Sequence, residues 1–342
     1  MIPGIEGLPP RAAVRLLVNL HAASHAVRAM AVLGLADYLR DGPRTAQELA
    51  EATGTHAPTL TRFLRTLAAI GLCSHDEESR IRLTAMGDLL CEDVPGSMRS
   101  YALAIAAPYA MRAWDELPEA VRTGDSTFPH VHGLGFWDYL SAHPEDGNHF
   151  DGAMSGAVVT RAEALLAARD LSAIGTLVDV GGGQGRLLVA ALEAAPGLRA
   201  VLFDRPEVLA GAEATLAAAG LRDRCELVGG DFFDAVPAGG DAYVLSQILH
   251  DWPDAEAEAI LRTCHRAMAP GARLWLLEQV VPPGDAFDAV KLLDLLMLVN
   301  FGGQERTAEE YRSLLEGVGF QDMTVLSTPT TWNVIEAVRS WA

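Results

Sequence analysis

Apolar residues recur three and four apart through the first forty positions: Val14, Leu17 and Val18, then Val27, Met30, Leu33, Leu35 and Leu39, up to the break at Asp41-Gly42-Pro43. That spacing predicts one or two long helices over residues 11–41. Thr45 with Glu48 three residues on forms a capping box ahead of a short helix whose Leu49 and Ala52 face inward. After a turn at Gly54, Leu60, Phe63, Leu64 and Leu67 share one face of a helix over 58–70. Residues 71–74 and 80–83 read as two short strands around a polar turn. Helix, turn, helix and hairpin make a winged-helix pattern, expected over 1–96.

From 97 to 172 the pattern stays helical and carries large side chains, among them Tyr101, Tyr109, Met111, Trp114, Phe136, Trp137 and Tyr139, most of which should be core. From 176 the period changes. Short β-type apolar runs at 177–180, 200–203, 226–228, 242–245 and 274–277 alternate with helical stretches. Strands alternating with helices predict an α/β fold, a doubly wound, mostly parallel, Rossmann-like sheet over 173–342, behind the mainly helical N-terminal domain and a helical linker.

Composition narrows what such a fold could serve. The chain has 342 residues, half of them hydrophobic and about a fifth charged, which is globular and ample for two packed domains. Acidic groups outnumber basic ones by 45 to 26, a net charge of −19. Nucleic acid and anionic lipid both require a basic surface, so neither is an expected partner. The winged-helix region does not depart from this: residues 1–100 hold 10 basic and 11 acidic groups, and its second helix offers only Arg62 and Arg65 to a phosphate backbone. Packing or dimerisation is the expected role there. Lys291 is the only lysine, which in an Ala- and Gly-rich chain reads as coding bias of a GC-rich bacterial genome. Cys73, Cys91, Cys225 and Cys264 include no C-x-x-C pair, so neither a zinc site nor a disulfide framework is expected. With no export signal and no run of about 18 apolar residues, the expectation is a cytoplasmic protein without a membrane span.

The chemistry gathers at the strand ends. The first sheet strand runs into Asp179-Val180-Gly181-Gly182-Gly183-Gln184-Gly185, followed by an apolar helix over 186–194. A glycine turn at that place lets the backbone approach a nucleotide-like ligand. A nicotinamide fingerprint wants glycines at 181, 183 and 186, and position 186 is Arg. Glycines at 181, 183 and 185 behind Asp179 suit S-adenosylmethionine, which carries an amino acid and a sulfonium but no phosphate. Asp204 closes the second strand, where a carboxylate accepts hydrogen bonds from ribose hydroxyls. Asp231 and Phe232, in Gly230-Asp231-Phe232-Phe233, follow the third strand, where an adenine can be read and covered. Singly, each Asp is a turn or cap residue; three at successive strand ends on one rim point to a ligand.

The fourth strand runs into Ser246-Gln247-Ile248-Leu249-His250-Asp251-Trp252-Pro253. His250 is there either a turn residue or a general base to a substrate hydroxyl. Glu278 closes the adjacent fifth strand, and Glu305 lies in Asn300-Phe301-Gly302-Gly303-Gln304-Glu305-Arg306-Thr307. A carboxylate beside an imidazole fixes its tautomer and stabilises the imidazolium.

Taken in order, these motifs resemble the plant-type (caffeate O-methyltransferase-like) small-molecule O-methyltransferases over nearly the whole chain. This is a class I S-adenosylmethionine-dependent family with bacterial members in aromatic natural-product pathways. The resemblance implies His250 as base, Glu278 and Glu305 as its orienting carboxylates, and Asp251 as a neighbour of cofactor and substrate. It implies Gly181, Asp204, Asp231 and Phe232 as cofactor contacts, joined by Asp179 and Gly183 of the loop. Ser246, also placed with the cofactor, stands where plant members often carry a Lys near the adenine. Phe150-Asp151-Gly152-Ala153-Met154 matches the family's linker-helix motif, which implies Phe150 and Met154 as pocket wall; Met297, Asn300 and Phe301 are further candidates. A homodimer through the N-terminal domain and a small aromatic acceptor are the implied partners. No cluster of acids with metal-ligand spacing is legible beside these residues, so a metal-independent mechanism is expected. Two rival readings are a relative that binds the cofactor but hydroxylates or decarboxylates, and a ligand-responsive winged-helix regulator. Retention of His250 with both glutamates argues against the first, and the lack of a basic recognition helix against the second.

Overall fold

In the computed structural model, which describes Ile5 and residues 7–341 apart from the side chains of Ser155 and Ala157, the chain forms two units. One comprises Met1–Asp115 and Val131–Ala157, the other Glu116–His130 and Val158–Ala342.

The N-terminal stripe becomes three helices, Pro10–Asn19, His21–Val32 and Leu35–Arg40, one more than the periodicity predicts. The extra breaks have local causes. Leu20 N–H bonds back only three residues, to Leu17, and Gly34 adopts φ of 62°, a left-handed conformation that ends a helix. Pro10–Asn19 buries none of its residues, whereas Met30, Leu35 and Leu39 are core. The capping box forms as expected: Thr45 Oγ1 accepts from Glu48 N at 3.2 Å and Glu48 Oε2 accepts from Thr45 N at 2.7 Å. Helices Ala46–Thr53 and Ala57–Ala69 follow, then β1 (Cys73–His75) and β2 (Ile81–Leu83) as an antiparallel hairpin. Leu49, Leu60, Leu64 and Leu67 fill the core beneath them.

The other unit is built on seven strands: β3 (Thr176–Val180), β4 (Arg199–Asp204), β5 (Cys225–Gly229), β6 (Ala242–Ser246), β7 (Arg273–Glu278), β8 (Phe320–Ser327) and β9 (Asn333–Arg339). Their order is β5-β4-β3-β6-β7-β9-β8, parallel through β7 and antiparallel beyond. The five strands expected from sequence are all present; β8 and β9 were not foreseen. β8 hides its alternation behind an irregularity between Gln321 and Thr324, where Asp322 takes φ of 56°.

Both faces of the sheet are covered, which is why its central strands are continuous apolar runs rather than alternating ones. Leu177, Leu202, Val244 and Leu277 pack on one face with Leu188, Leu192 and Leu216. Val178, Tyr243, Leu245 and Leu276 pack on the other with Ile260, Leu261 and Leu315. Connections leave β3 toward β4 and β6 toward β7, so strand order reverses between β3 and β6. The carboxyl ends of those two strands flank the crevice where open α/β sheets take their ligands. Among the described residues no helix is long and apolar enough to cross a membrane.

Candidate active site

Between the end of β3 and helix Arg186–Ala194 the chain has five residues in which to reverse. Gly181, Gly183 and Gly185 take φ of 72°, 59° and 75°. At Gly181 space is also short, since a Cβ would lie 2.6 Å from Ile248 Cδ1. Around Gly183 there is room, and its N–H donates to Asp204 Oδ2 at 2.8 Å. Asp204 therefore ties the loop to the end of β4 through one oxygen, while the other accepts from Arg205 N at 2.7 Å. Asp179 is wholly buried, and neither of its oxygens has a hydrogen-bond partner among the described residues. Burial, reinforced by the charge of Asp204, pushes its carboxyl up to about 7. Asp231 is exposed and closes its own turn by accepting from Phe233 N at 2.8 Å. Phe232 is half-buried and packs edge-on to Phe233 and Trp252; Ser246 ends β6, half-buried.

Beyond β6 the backbone is forced into an unusual shape. Gln247 takes φ of 56°, held by its N–H to Leu277 O and by Arg161 Nη1, which donates to Gln247 Oε1 at 2.5 Å. A single tight turn, Leu249–Asp251, then presents His250. Glu278 Oε1, from the end of β7, accepts the N–H groups of Ile248 and Leu249 at 3.2 and 3.0 Å and so seats that turn.

The strap after helix Val290–Phe301 closes on the turn from the other side. At Gly303 a Cβ would stand 2.0 Å from His250 O, so only glycine fits there. Gln304 N donates to His250 O at 2.9 Å, and Glu305 N to Asp294 Oδ1 at 2.9 Å. Arg306 is completely buried. Its guanidinium donates to the carbonyls of Leu249 and Trp252, both at 2.8 Å, and pairs with Asp254 at 2.9 Å.

This scaffold places three carboxyls around one buried imidazole. Glu305 Oε1 is 2.7 Å from His250 Nδ1, Glu278 Oε2 is 4.0 Å from the same nitrogen, and Asp251 Oδ1 is 3.4 Å from Nε2. Burial alone pulls the His250 pKa down, but the charges of Asp251, Glu278 and Glu305 outweigh it and hold the ring up to about 10. Burial pushes the Glu278 carboxyl up to about 7 and that of Asp251 up to about 6. Such a group can take a proton at Nε2 while Glu305 fixes the tautomer at Nδ1.

On helix Val290–Phe301, Met297 and Asn300 are buried and Phe301 half-buried. Asn300 Oδ1 has no hydrogen-bond partner among the described residues. Phe150 and Met154 belong to the other unit, where Phe150 is buried with ring centroids 5.2 Å from Phe136 and 5.6 Å from Trp137.

Residues 114–321 match the O-methyltransferase domain, and residues 16–93 the O-methyltransferase dimerisation domain. The chain belongs to the O-methyltransferase family. It is 42% identical over 307 residues to the phenazine O-methyltransferase PhzM of Lysobacter antibioticus, covering 90% of each chain. To a mitomycin biosynthesis 6-O-methyltransferase of Streptomyces lavendulae it is 39% identical over 326 residues, covering 93% of each. An O-methyltransferase from neocarzinostatin biosynthesis, solved with S-adenosylmethionine and 2-hydroxy-5-methyl naphthoic acid, is 35% identical with a TM-score of 0.80, covering 93% of this chain and 96% of that one.

Several residues of this O-methyltransferase's site were not singled out from sequence. Arg161, buried in helix Pro144–Ala168, faces Glu278, Asp179 and Asp251, and burial lowers its guanidinium to about 10. Its one signal was a basic residue inside an apolar helical stretch. Arg306 and Gly303 lie in the 300–307 motif, but spacing does not say which member is a clamp and which a close contact. One expectation is corrected. An acid cluster with metal-ligand spacing does exist, because His250, Glu278 and Glu305 each offer an atom within 4.8 Å of the others. It was invisible because the three come from separate segments that meet only through sheet order and the strap.

Proposed function

We propose that this S-adenosylmethionine-dependent O-methyltransferase methylates a hydroxyl of an aromatic natural-product intermediate, with His250 taking the hydroxyl's proton. The observation that carries this reading is the buried 2.7 Å contact between His250 Nδ1 and Glu305, which leaves Nε2 as the basic atom of the ring.

The residues at the rim fit the cofactor. The two buried, unpartnered oxygens of Asp179 suit its ammonium group, the room at Gly183 suits a closely approaching ligand, and Asp204 lies at the strand end suited to ribose hydroxyls. Arg161, the buried cation among these acids, suits its carboxylate. Asp231, Phe232, Gly181 and Ser246 complete the proposed cofactor set. When bound, S-adenosylmethionine supplies an electrophilic methyl on a sulfonium and leaves as S-adenosylhomocysteine.

The chain's own contribution is positioning and proton transfer. Holding the acceptor oxygen in line with the methyl supplies rate through orientation. An ordinary phenol near pKa 10 facing an imidazole near 6.5 is mismatched by about 3.5 units, or about 4.8 kcal/mol. Each carboxylate beside His250 favours the imidazolium and so narrows that mismatch. A hydroxyl acidified by a neighbouring carbonyl or quinone needs still less, which favours polycyclic or carbonyl-bearing phenols. Met297, Asn300 and Phe301 are proposed as acceptor contacts; the Oδ1 of Asn300, without a partner among the described residues, suits a second donor on the acceptor. The reaction is proposed to be metal-independent, because Nδ1 is engaged with Glu305 and Glu278 Oε1 with two backbone amides.

A homodimer is proposed through the N-terminal domain, whose first helix exposes Val14 at 61% and Val18 at 68%. All four cysteines are free, which fits the proposed cytoplasmic location. Incubating the protein with S-adenosylmethionine and a panel of hydroxynaphthoates and hydroxyquinones tests the function: the product should gain one CH₂, with S-adenosylhomocysteine released in equal amount. Gain of an oxygen, or loss of carbon dioxide, would replace this reading with the non-methylating one.

A further inference from the structure

The two glutamates around His250 are not equivalent in geometry. Nδ1 has one hydrogen to give, and at 2.7 Å against 4.0 Å it goes to Glu305 rather than to Glu278. Each carboxyl is then left with one buried oxygen, Oε2, that has no partner among the described residues. An ionised Glu278 would place a second buried negative charge beside Glu305, since the two side chains offer oxygens within 4.8 Å of each other. A protonated Glu278 removes that second charge and adds an O–H donor to a cluster holding two unpartnered acceptor oxygens.

We propose that Glu278 works as a neutral carboxylic acid, a positioning residue that seats the 248–249 backbone through Oε1 and turns its O–H toward Glu305, while Glu305 carries the negative charge paired with Nδ1 of His250. The proposal rests on the general-base reading above. The charge inventory supports it. The groups facing Glu278 are His250 and Asp251 from the turn, Glu305 from the strap, Arg161 from helix Pro144–Ala168 and Tyr311 from helix Ala308–Gly317. Arg161 is the one permanent cation among them, and Glu278 shares it with Asp179 and Asp251. Burial also favours the neutral form of Glu278. The consequence is catalytic: were all three neighbouring carboxyls ionised, His250 would be held as imidazolium and no base would be present at neutral pH.

The test is infrared spectroscopy of the ligand-free protein near neutral pH, with glutamate carried in ¹³C-labelled form. The expected result is a carboxylic-acid C=O band that shifts with the label and in D₂O and is lost in Glu278→Gln. Absence of any labelled acid band in the wild type, or its persistence in Glu278→Gln, overturns the proposal. Should Glu278→Gln fail to fold, ¹⁵N-histidine NMR of the wild type decides, with the His250 signals identified by their loss in His250→Ala. A neutral ring bearing its hydrogen on Nδ1 is expected, and a doubly protonated ring overturns the proposal. Turnover of His250→Ala decides the general-base reading separately, so failure of one is distinguishable from failure of the other.

Discussion

At the scale of single residues, His250 owes its place to close backbone contacts. Gly303 is the sharpest case, since any Cβ there meets the carbonyl of His250 itself at 2.0 Å. Gly303→Ala should therefore displace the turn, costing about 1–3 kcal/mol of stability as other overpacked sites do. It should also lower kcat well beyond what the stability loss accounts for; denaturant unfolding together with steady-state kinetics checks both, and unchanged kcat would detach the strap from catalysis. A pH profile probes the electrostatics. The charges of Asp251 and Glu305 favour the imidazolium, so the acid limb of kcat/KM should lie above the ordinary histidine value, not below it.

At the scale of elements, the site is the meeting of two strand ends and one strap, and Arg306 holds the strap. Its guanidinium bonds two carbonyls of the His250 turn and Asp254, a fork that an ammonium cannot reproduce. Arg306→Met should leave those buried carbonyls unpaired, at about 1–3 kcal/mol each, and Arg306→Lys should recover only part of the lost kcat. Full activity in Arg306→Met would contradict the clamp.

The elements themselves were largely legible. Continuous apolar runs predicted five parallel strands, and Thr45 with Glu48 predicted a helix start that the structure realises. The two antiparallel strands were not legible, because β8 owes its pairing to β9 rather than to its own alternation. The site was half legible: His250, Glu278 and Glu305 stood out as chemistry at strand ends and in a motif. Arg161 and Arg306 did not, because what each does depends on which carbonyls and carboxyls the fold brings to it.

At the scale of the whole molecule, the buried acids leave a mark on stability. Asp179 and Glu278 are pushed up to about 7 and Asp251 to about 6. A carboxyl raised by folding binds its proton more tightly when folded, so its stabilising contribution is present below the ordinary carboxylate range and lost as pH rises through the folded value. The ligand-free protein should accordingly melt at a lower temperature at about pH 8 than at about pH 5, by differential scanning fluorimetry, and Asp179→Asn should flatten the slope. A Tm that rises across that window would contradict these assignments. The net charge of −19 acts in the same direction by self-repulsion. Assembly is testable at this scale too: Val18→Asp on the exposed first helix should move the sedimentation coefficient from dimer toward monomer, and an unchanged value would place the interface elsewhere.

The most direct measurement of the central claim is methyl transfer by His250→Ala to an ordinary phenolic acceptor, followed by mass spectrometry beside the wild type, with S-adenosylmethionine affinity measured on the same samples. The predicted result is unchanged cofactor affinity with turnover reduced by about 10²–10⁴, the range set by loss of a general base. Turnover of that phenol at the wild-type rate would contradict it.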